Sequence, residues 1–91
     1  MKAYMVIYDL QAGDDYNALV DAIESKSNSI KVLESTYLFR SNYSASLLND
    51  EFREHIKPGR NIIVFEFKAV QGERNGWLDK GIWNWLESYV G

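Results

Sequence analysis

The segment AYMVIY, residues 3–8, constrains the fold more than any other part of the chain. It alternates as a strand does, yet both sets of side chains are apolar. Tyr4, Val6 and Tyr8 point one way; Ala3, Met5 and Ile7 point the other. A strand solvated on one face alternates apolar with polar residues, so a strand apolar on both faces belongs inside a sheet that is covered twice. The same segment runs into Asp9, with Asp14 and Asp15 close behind. Asp9 is therefore either a catalytic or metal-binding carboxylate, or the plain end of a strand.

The rest of the chain supplies the covers. After a turn at Gln11-Ala12-Gly13, Asp14 or Asp15 is placed to cap a helix striped by Tyr16, Leu19, Val20 and Ile23. The polar run over residues 25–29 ends it. Residues 30–33 and 36–40 read as strands joined by a tight turn at Glu34-Ser35, with a single bulged strand as the competing reading. Ser44 is placed to cap a second helix striped by Leu48, Phe52 and Ile56, with Leu47 beside them. Lys57-Pro58-Gly59 stops that helix, because proline cannot continue it. Residues 61–67 form the clearest strand, with Ile63, Phe65 and Phe67 on one face and Ile62, Val64 and Glu66 on the other. A glycine-spotted loop, residues 72–76, leads to a third helix over residues 77–90, striped by Ile82, Trp85, Leu86 and Tyr89.

The order β-α-β-β-α-β followed by a helix predicts a single α+β domain over residues 1–91. Its form is the ferredoxin-like split βαβ: an antiparallel four-stranded sheet, two helices on one face, and an additional C-terminal Trp-rich helix. The second face then needs its own cover, either that last helix or a second copy of the chain. Left bare, it exposes more apolar area than a soluble monomer usually does. Burial thus predicts a homodimer.

Composition narrows the chemistry. There is no cysteine, which excludes a disulfide scaffold and a thiolate zinc site. With one histidine, His55, an all-protein zinc or copper site is not expected. The net charge of −3 argues against strong nonspecific nucleic-acid binding, which needs phosphates neutralised by Lys and Arg. Arg40 or Arg60 is either the centre of a local basic patch or part of a scattered, solvated surface. No segment reads as a signal peptide or a membrane span, so the expectation is a cytoplasmic protein with no membrane partner.

Several stretches resemble one known family. Tyr4-Met-Val-Ile-Tyr-Asp9-Leu10, Gly13-Asp-Asp-Tyr16-Asn-Ala-Leu19, Leu33-Glu-Ser-Thr-Tyr-Leu38, and Gly76-Trp-Leu-x-Lys80 with Trp83-x-Trp-Leu86 are similar to the SinR-like small bacterial and phage proteins. That family in turn resembles the small ferredoxin-like subunit of the CRISPR adaptation complex and the VapD-type toxin ribonucleases. The resemblance implies a homodimer in which an Asp at the end of the first strand faces the dimer axis. It also implies a magnesium-dependent phosphodiesterase role for that Asp, here Asp9 after Tyr8. Ser35-Thr36-Tyr37 matches the place where relatives carry a serine. This chain differs from the CRISPR subunit in its Trp-rich C-terminal helix, which stands where that subunit has a further strand, and in lacking a pronounced basic surface.

The candidate site residues follow. Asp9 is the catalytic and magnesium-ligating candidate, magnesium being a hard cation that prefers oxygen ligands. Tyr8, Ser35, Thr36 and Arg40 are candidates for substrate binding; each also has a structural reading, as core or interface tyrosine, turn serine, strand threonine and solvated arginine. Asp14 and Asp15 are either further metal ligands or helix-capping residues. Trp83 lies off the apolar stripe and is the candidate partner surface, whereas Trp85 lies on it; together with Trp77 they could stack bases. Gly72-Glu-Arg-Asn-Gly76 lacks the lysine and spacing of a P-loop. Two functions stay open: a small nuclease-like or nucleic-acid-binding homodimer, and a non-enzymatic interaction protein with a protein or nucleotide-like partner. A phage or mobile-element role in defence or counter-defence fits either.

Overall fold

A computed structural model describes residues 1–9, 11–68 and 74–90. The elements run β1 (Lys2–Tyr8), α1 (Asn17–Glu24), β2 (Ser27–Leu33), β3 (Thr36–Ser41), α2 (Ala45–Arg53), β4 (Ile62–Phe67) and α3 (Lys80–Tyr89). The strands form one antiparallel sheet in the order β2-β3-β1-β4. The fold is α+β. The two-faced strand β1 lies inside the sheet, between β3 and β4, as its sequence requires.

Each face of β1 belongs to a different core. Tyr4, Val6 and Tyr8 join Tyr37 and Phe39 of β3 beneath Leu19 and Ile23 of α1 and Leu48 and Phe52 of α2. Phe39 stacks on Tyr4 at 5.6 Å between centroids and meets Phe52 edge-on at 5.8 Å. Burial of Tyr4 and Tyr37 is tolerated because their hydroxyls find acceptors. Tyr4 donates to the Tyr43 carbonyl at 2.6 Å, and Tyr37 donates to Glu24 Oε2 at 3.1 Å.

The opposite core joins Ala3 and Leu38 to Ile82, Trp85, Leu86 and Val90. The second face is therefore covered by the chain's own C-terminal helix, but only in part. Three rows of side chains cross this face. α3 lies over those that contain Ala3 and Leu38. The last row, Leu33–Thr36–Ile7–Ile63, crosses all four strands, with a register shift on β2 between Lys31 and Leu33. Leu33 is 61 %, Ile7 38 % and Ile63 55 % exposed, while Thr36 between them is buried.

Several element boundaries differ from the sequence expectation. α3 begins at Lys80, because Asp79 holds an extended backbone (ψ 146°) and stops the helix from reaching Trp77. α1 begins at Asn17, with Tyr16 at the cap position. Asp15 Oδ1 still accepts the Asn17 N–H at 2.9 Å, so it serves that helix end from one residue further out. Ser44 caps α2 as expected, its hydroxyl accepting the Leu47 N–H at 3.2 Å. That helix closes at Arg53, which leaves His55 and Ile56 beyond it. β2 starts at Ser27 rather than residue 30, since Ser27 pairs with Arg40 across a break in register. Asn28 in that break adopts φ 55°, a left-handed conformation that asparagine tolerates. Glu34-Ser35 is the tight turn between β2 and β3. Within the expected glycine loop, residues 72 and 73 lie outside the described residues. Among the described residues, no helix is long and apolar enough to cross a membrane.

Candidate functional site

The end of β1 gathers three connections of the chain: the loop after β1, the β2–β3 turn and the loop before β4. Tyr8 N donates to the Ser35 carbonyl at 3.2 Å on one side. On the other side Asp9 and Asn61 exchange two hydrogen bonds. Asp9 N donates to Asn61 O at 2.9 Å, and Asn61 N donates to Asp9 Oδ2 at 3.1 Å. The Asp9 carboxylate thus extends the β1–β4 ladder by one step after the backbone pairing ends. A cavity of about 170 Å³ opens beside it, lined by Ile7, Tyr8, Asp9, Asn61, Ile62 and Ile63. Asp9 stands next to the open apolar row on the second sheet face.

Asp14 forms a separate centre at the same end. Arg60 Nε donates to Asp14 Oδ2 at 2.6 Å, Lys57 Nζ lies 2.9 Å from Oδ1, and the Tyr16 hydroxyl donates to Oδ2 at 3.3 Å. The Asp14 side chain is only 8 % exposed, whereas Lys57 is largely solvated. Hydrogen bonds from Arg60 and Lys57 hold the Asp14 carboxyl well below the usual carboxylate range, and Asp14 raises the Arg60 guanidinium in return. A carboxylate compensated by two cations stays ionised at neutral pH and has no proton to give or take. The sequence expectation of a helix cap or metal ligand at Asp14 is replaced by this clamp between the loop before α1 and the loop before β4. Asp15 supplies the helix-end bond instead.

The remaining candidates are scattered. Ser35 is the turn residue whose carbonyl meets Tyr8, and Thr36 is buried beside Ile7. Both lie at the Asp9 end of the sheet. Tyr8 points into the first core, is 5 % exposed and stacks on Tyr16 at 5.6 Å. Burial raises its phenol above its ordinary value of 10.0, with Glu34 adding to the effect. Arg40 pairs with Ala3, at the far end of β1. Five residues of strand separate that register position from Tyr8, about 17 Å at the usual rise. Its guanidinium carbon stands 4.4 Å from the centre of the Tyr89 ring under α3. The structure therefore does not bring Arg40 to Asp9. His55 follows α2, its N–H donating to Phe52 O at 3.1 Å, and shares a cavity of about 480 Å³ with Asp14 and Asp15.

The tryptophans have three different fates. Trp85 is core, and its indole N–H donates to the Asn28 carbonyl at 2.6 Å. Trp83 is half-buried against the second core. Trp77 is fully exposed, ahead of α3.

Among the described residues, no group of three or more His, Asp or Glu side chains could hold a metal ion. Within one chain Asp9 offers a single carboxylate, one oxygen of which already accepts from Asn61. A magnesium ion at Asp9 needs further oxygens from a second chain or from substrate phosphates. Sequence reasoning missed the Asp14–Arg60–Lys57 clamp and the Asp9–Asn61 exchange. The available signal was topological: the β-α-β-β-α-β order puts the loop after β1 and the loop before β4 at one end of the sheet.

The geometry defines a small α+β domain with a carboxylate beside an open apolar row. The chain matches no family model, no curated protein and no solved structure.

Proposed function

We propose that this chain is a non-enzymatic interaction protein that pairs with a second copy of itself through the uncovered row of the sheet. The observation that carries this reading is the row Leu33–Thr36–Ile7–Ile63, in which Leu33, Ile7 and Ile63 stay exposed around the buried Thr36. Strands lie about 4.8 Å apart, so the row is about 14 Å long. Covering the exposed parts of its three aliphatic side chains on both copies is worth on the order of 5–9 kcal/mol. Association entropy offsets much of that, which places self-association in the micromolar range or weaker. The sheet order, with α1 and α2 as crossovers on one face, supports a ferredoxin-like reading of the fold. Sedimentation velocity across a concentration series tests the proposal. A weight-average mass that rises toward a dimer supports it, and a monomer at all concentrations up to millimolar removes it.

A second reading rests on the position of Asp9 at the margin of that row. A two-fold contact there would bring two Asp9 carboxylates to one axis, the arrangement implied by the resemblance to the CRISPR adaptation subunit and the VapD-type ribonucleases. Two such carboxylates fit a magnesium ion, which supplies charge stabilisation to a phosphodiester. Ser35 and Thr36, at the same sheet end, are then the nearest candidates to flank a nucleic-acid substrate. Incubating the protein with short RNA and DNA, with and without magnesium, tests this reading. Cleavage by the wild type and none by a dimeric Asp9→Asn variant supports a nuclease. Absence of cleavage leaves the interaction protein.

A further inference from the structure

α3 is a helix that its own sequence barely supports. It has 10 residues, and isolated helices shorter than about 12–15 residues are marginal in water. Its end charges run against the helix dipole, with Lys80 in the first turn and Glu87 in the last. Asp79 stands at the cap position, but its side chain makes no capping bond. Gly81 brings to the first turn the backbone freedom that weakens a helix. α2, by contrast, has the Ser44 cap and Arg53 in its last turn. The helical form of α3 therefore comes from docking.

That docking is narrow. Ile82, Trp85, Leu86 and Val90 sit on Ala3 and Leu38, and Trp85 donates its hydrogen bond to the Asn28 carbonyl. The Tyr89 ring covers the Arg40 guanidinium, whose buried Nε has no hydrogen-bond partner among the described residues. A buried donor left unpaired is a cost of the docked state, and hydration removes it on release. The first core takes nothing from α3: a separate set of buried side chains holds β1 and β3 to α1 and α2. The sheet thus keeps one complete core when α3 leaves.

We infer that α3 is a releasable cover, which opens as a unit while the sheet, α1 and α2 stay folded. Release bares the rows Ile30–Leu38–Met5–Phe65 and Arg40–Ala3–Phe67. They lie beside the open row Leu33–Thr36–Ile7–Ile63, so the three become one largely apolar face. Its occupant is a second copy of this chain, a step that rests on the self-association reading above. α3 competes with that copy, and the fraction of chains with α3 released sets the affinity of the larger contact.

Native-state hydrogen exchange on the dilute, monomeric chain reads release alone. The amides of α3 are expected to exchange as one set, with protection about tenfold or more below that of the slowest amides of β1 and β3. Gly81→Ala adds a side chain that meets no atom within 4 Å among the described residues, and is expected to slow that set about two- to fivefold. α3 amides as protected as those of β1 and β3 overturn the release. Sedimentation velocity reads the competition. Folded Trp85→Ala, with its docking weakened, is expected to self-associate about tenfold or more tightly than the wild type, and Gly81→Ala more weakly than the wild type. Self-association that is measurable but unchanged in both variants overturns the competition. Wild type and Trp85→Ala chains that both stay monomeric up to millimolar overturn the self-association reading itself, while the exchange data still decide the release.

Discussion

Arg60 Nε reaches Asp14 Oδ2 at 2.6 Å across 46 residues of sequence. The contact ties the loop before α1 to the loop before β4, and Lys57 and Tyr16 complete it. Its charge is mostly sheltered on the Asp14 side and partly solvated on the Arg60 side. It is thus a local clamp, and its strength depends on Asp14 staying ionised.

That dependence has a sign. The folded-state carboxyl is held below its ordinary value of 3.8. A lowered carboxylate contributes stability above its unfolded value and loses it as pH falls toward the folded one. Asp14→Asn is expected to lower Tm at neutral pH by more than Lys57→Met, since Arg60 is its first partner. The gap between wild type and Asp14→Asn is expected to narrow steadily below pH 3.8. Thermal melts followed by circular dichroism from neutral to strongly acidic pH check both points.

The buried tyrosines give the opposite dependence. Burial, reinforced by the hydrogen bond to Glu24, pushes the Tyr37 phenol up to about 12, and burial raises Tyr4 and Tyr8 as well. A phenol whose folded value is raised contributes stability that is complete below its ordinary value of 10.0 and lost as pH climbs past it. Tm is expected to hold up to that pH and then fall. Phenolate absorbance should lag behind that of free tyrosine until the protein unfolds. A spectrophotometric titration paired with melts tests this, and Tyr37→Phe should reduce the alkaline loss.

Ile63→Asp places a charge on the open row. Because Ile63 is 55 % exposed, the folded monomer is expected to lose little stability. Self-association is expected to weaken by about tenfold or more, since a buried charge at a contact is costly. Sedimentation of wild type and variant at matched concentrations measures the difference. Leu47→Asp, on exposed α2 surface, is the control that should leave association unchanged.

Asp9→Asn keeps an oxygen for the Asn61 N–H, and Asp9→Ala does not. The asparagine variant is expected to fold with near-wild-type stability. The alanine variant is expected to lose about 0.5–1.5 kcal/mol, the net worth of one hydrogen bond. Chemical denaturation of both separates the structural part of Asp9 from any chemical one.

Trp85→Phe removes the donor to the Asn28 carbonyl while keeping an aromatic ring in the second core. A cost of about 1–3 kcal/mol is expected, because the carbonyl loses its partner in a part-buried place. Asn28→Gly should be nearly neutral there, since glycine adopts φ 55° freely, whereas Asn28→Val should destabilise. Urea unfolding of the three variants ranks them.

Much of the architecture was legible in local pattern. The two-faced AYMVIY segment required an inner strand, the 3.6-residue stripes located α1 and α2, and Ser44 marked a helix start. Those signals work because period and capping are decided by near neighbours. Boundaries that depended on distant partners were not legible. β2 gains three residues only because Arg40 is there for Ser27 to pair with, and Asp14 leaves its helix because Arg60 arrives from 46 residues away.

The sequence by itself determined that the sheet needed two covers and that the first strand ended on a carboxylate. Tertiary structure decided how far the second cover reaches. α3, stopped at Asp79, is too short to lie over the whole face, so Ile7, Ile63 and Leu33 stay open beside Asp9. It also decided that Arg40 packs on Tyr89 instead of approaching Asp9. Residue types set which surfaces must be buried. Only the lengths, registers and crossings of the assembled elements settle which of them meet.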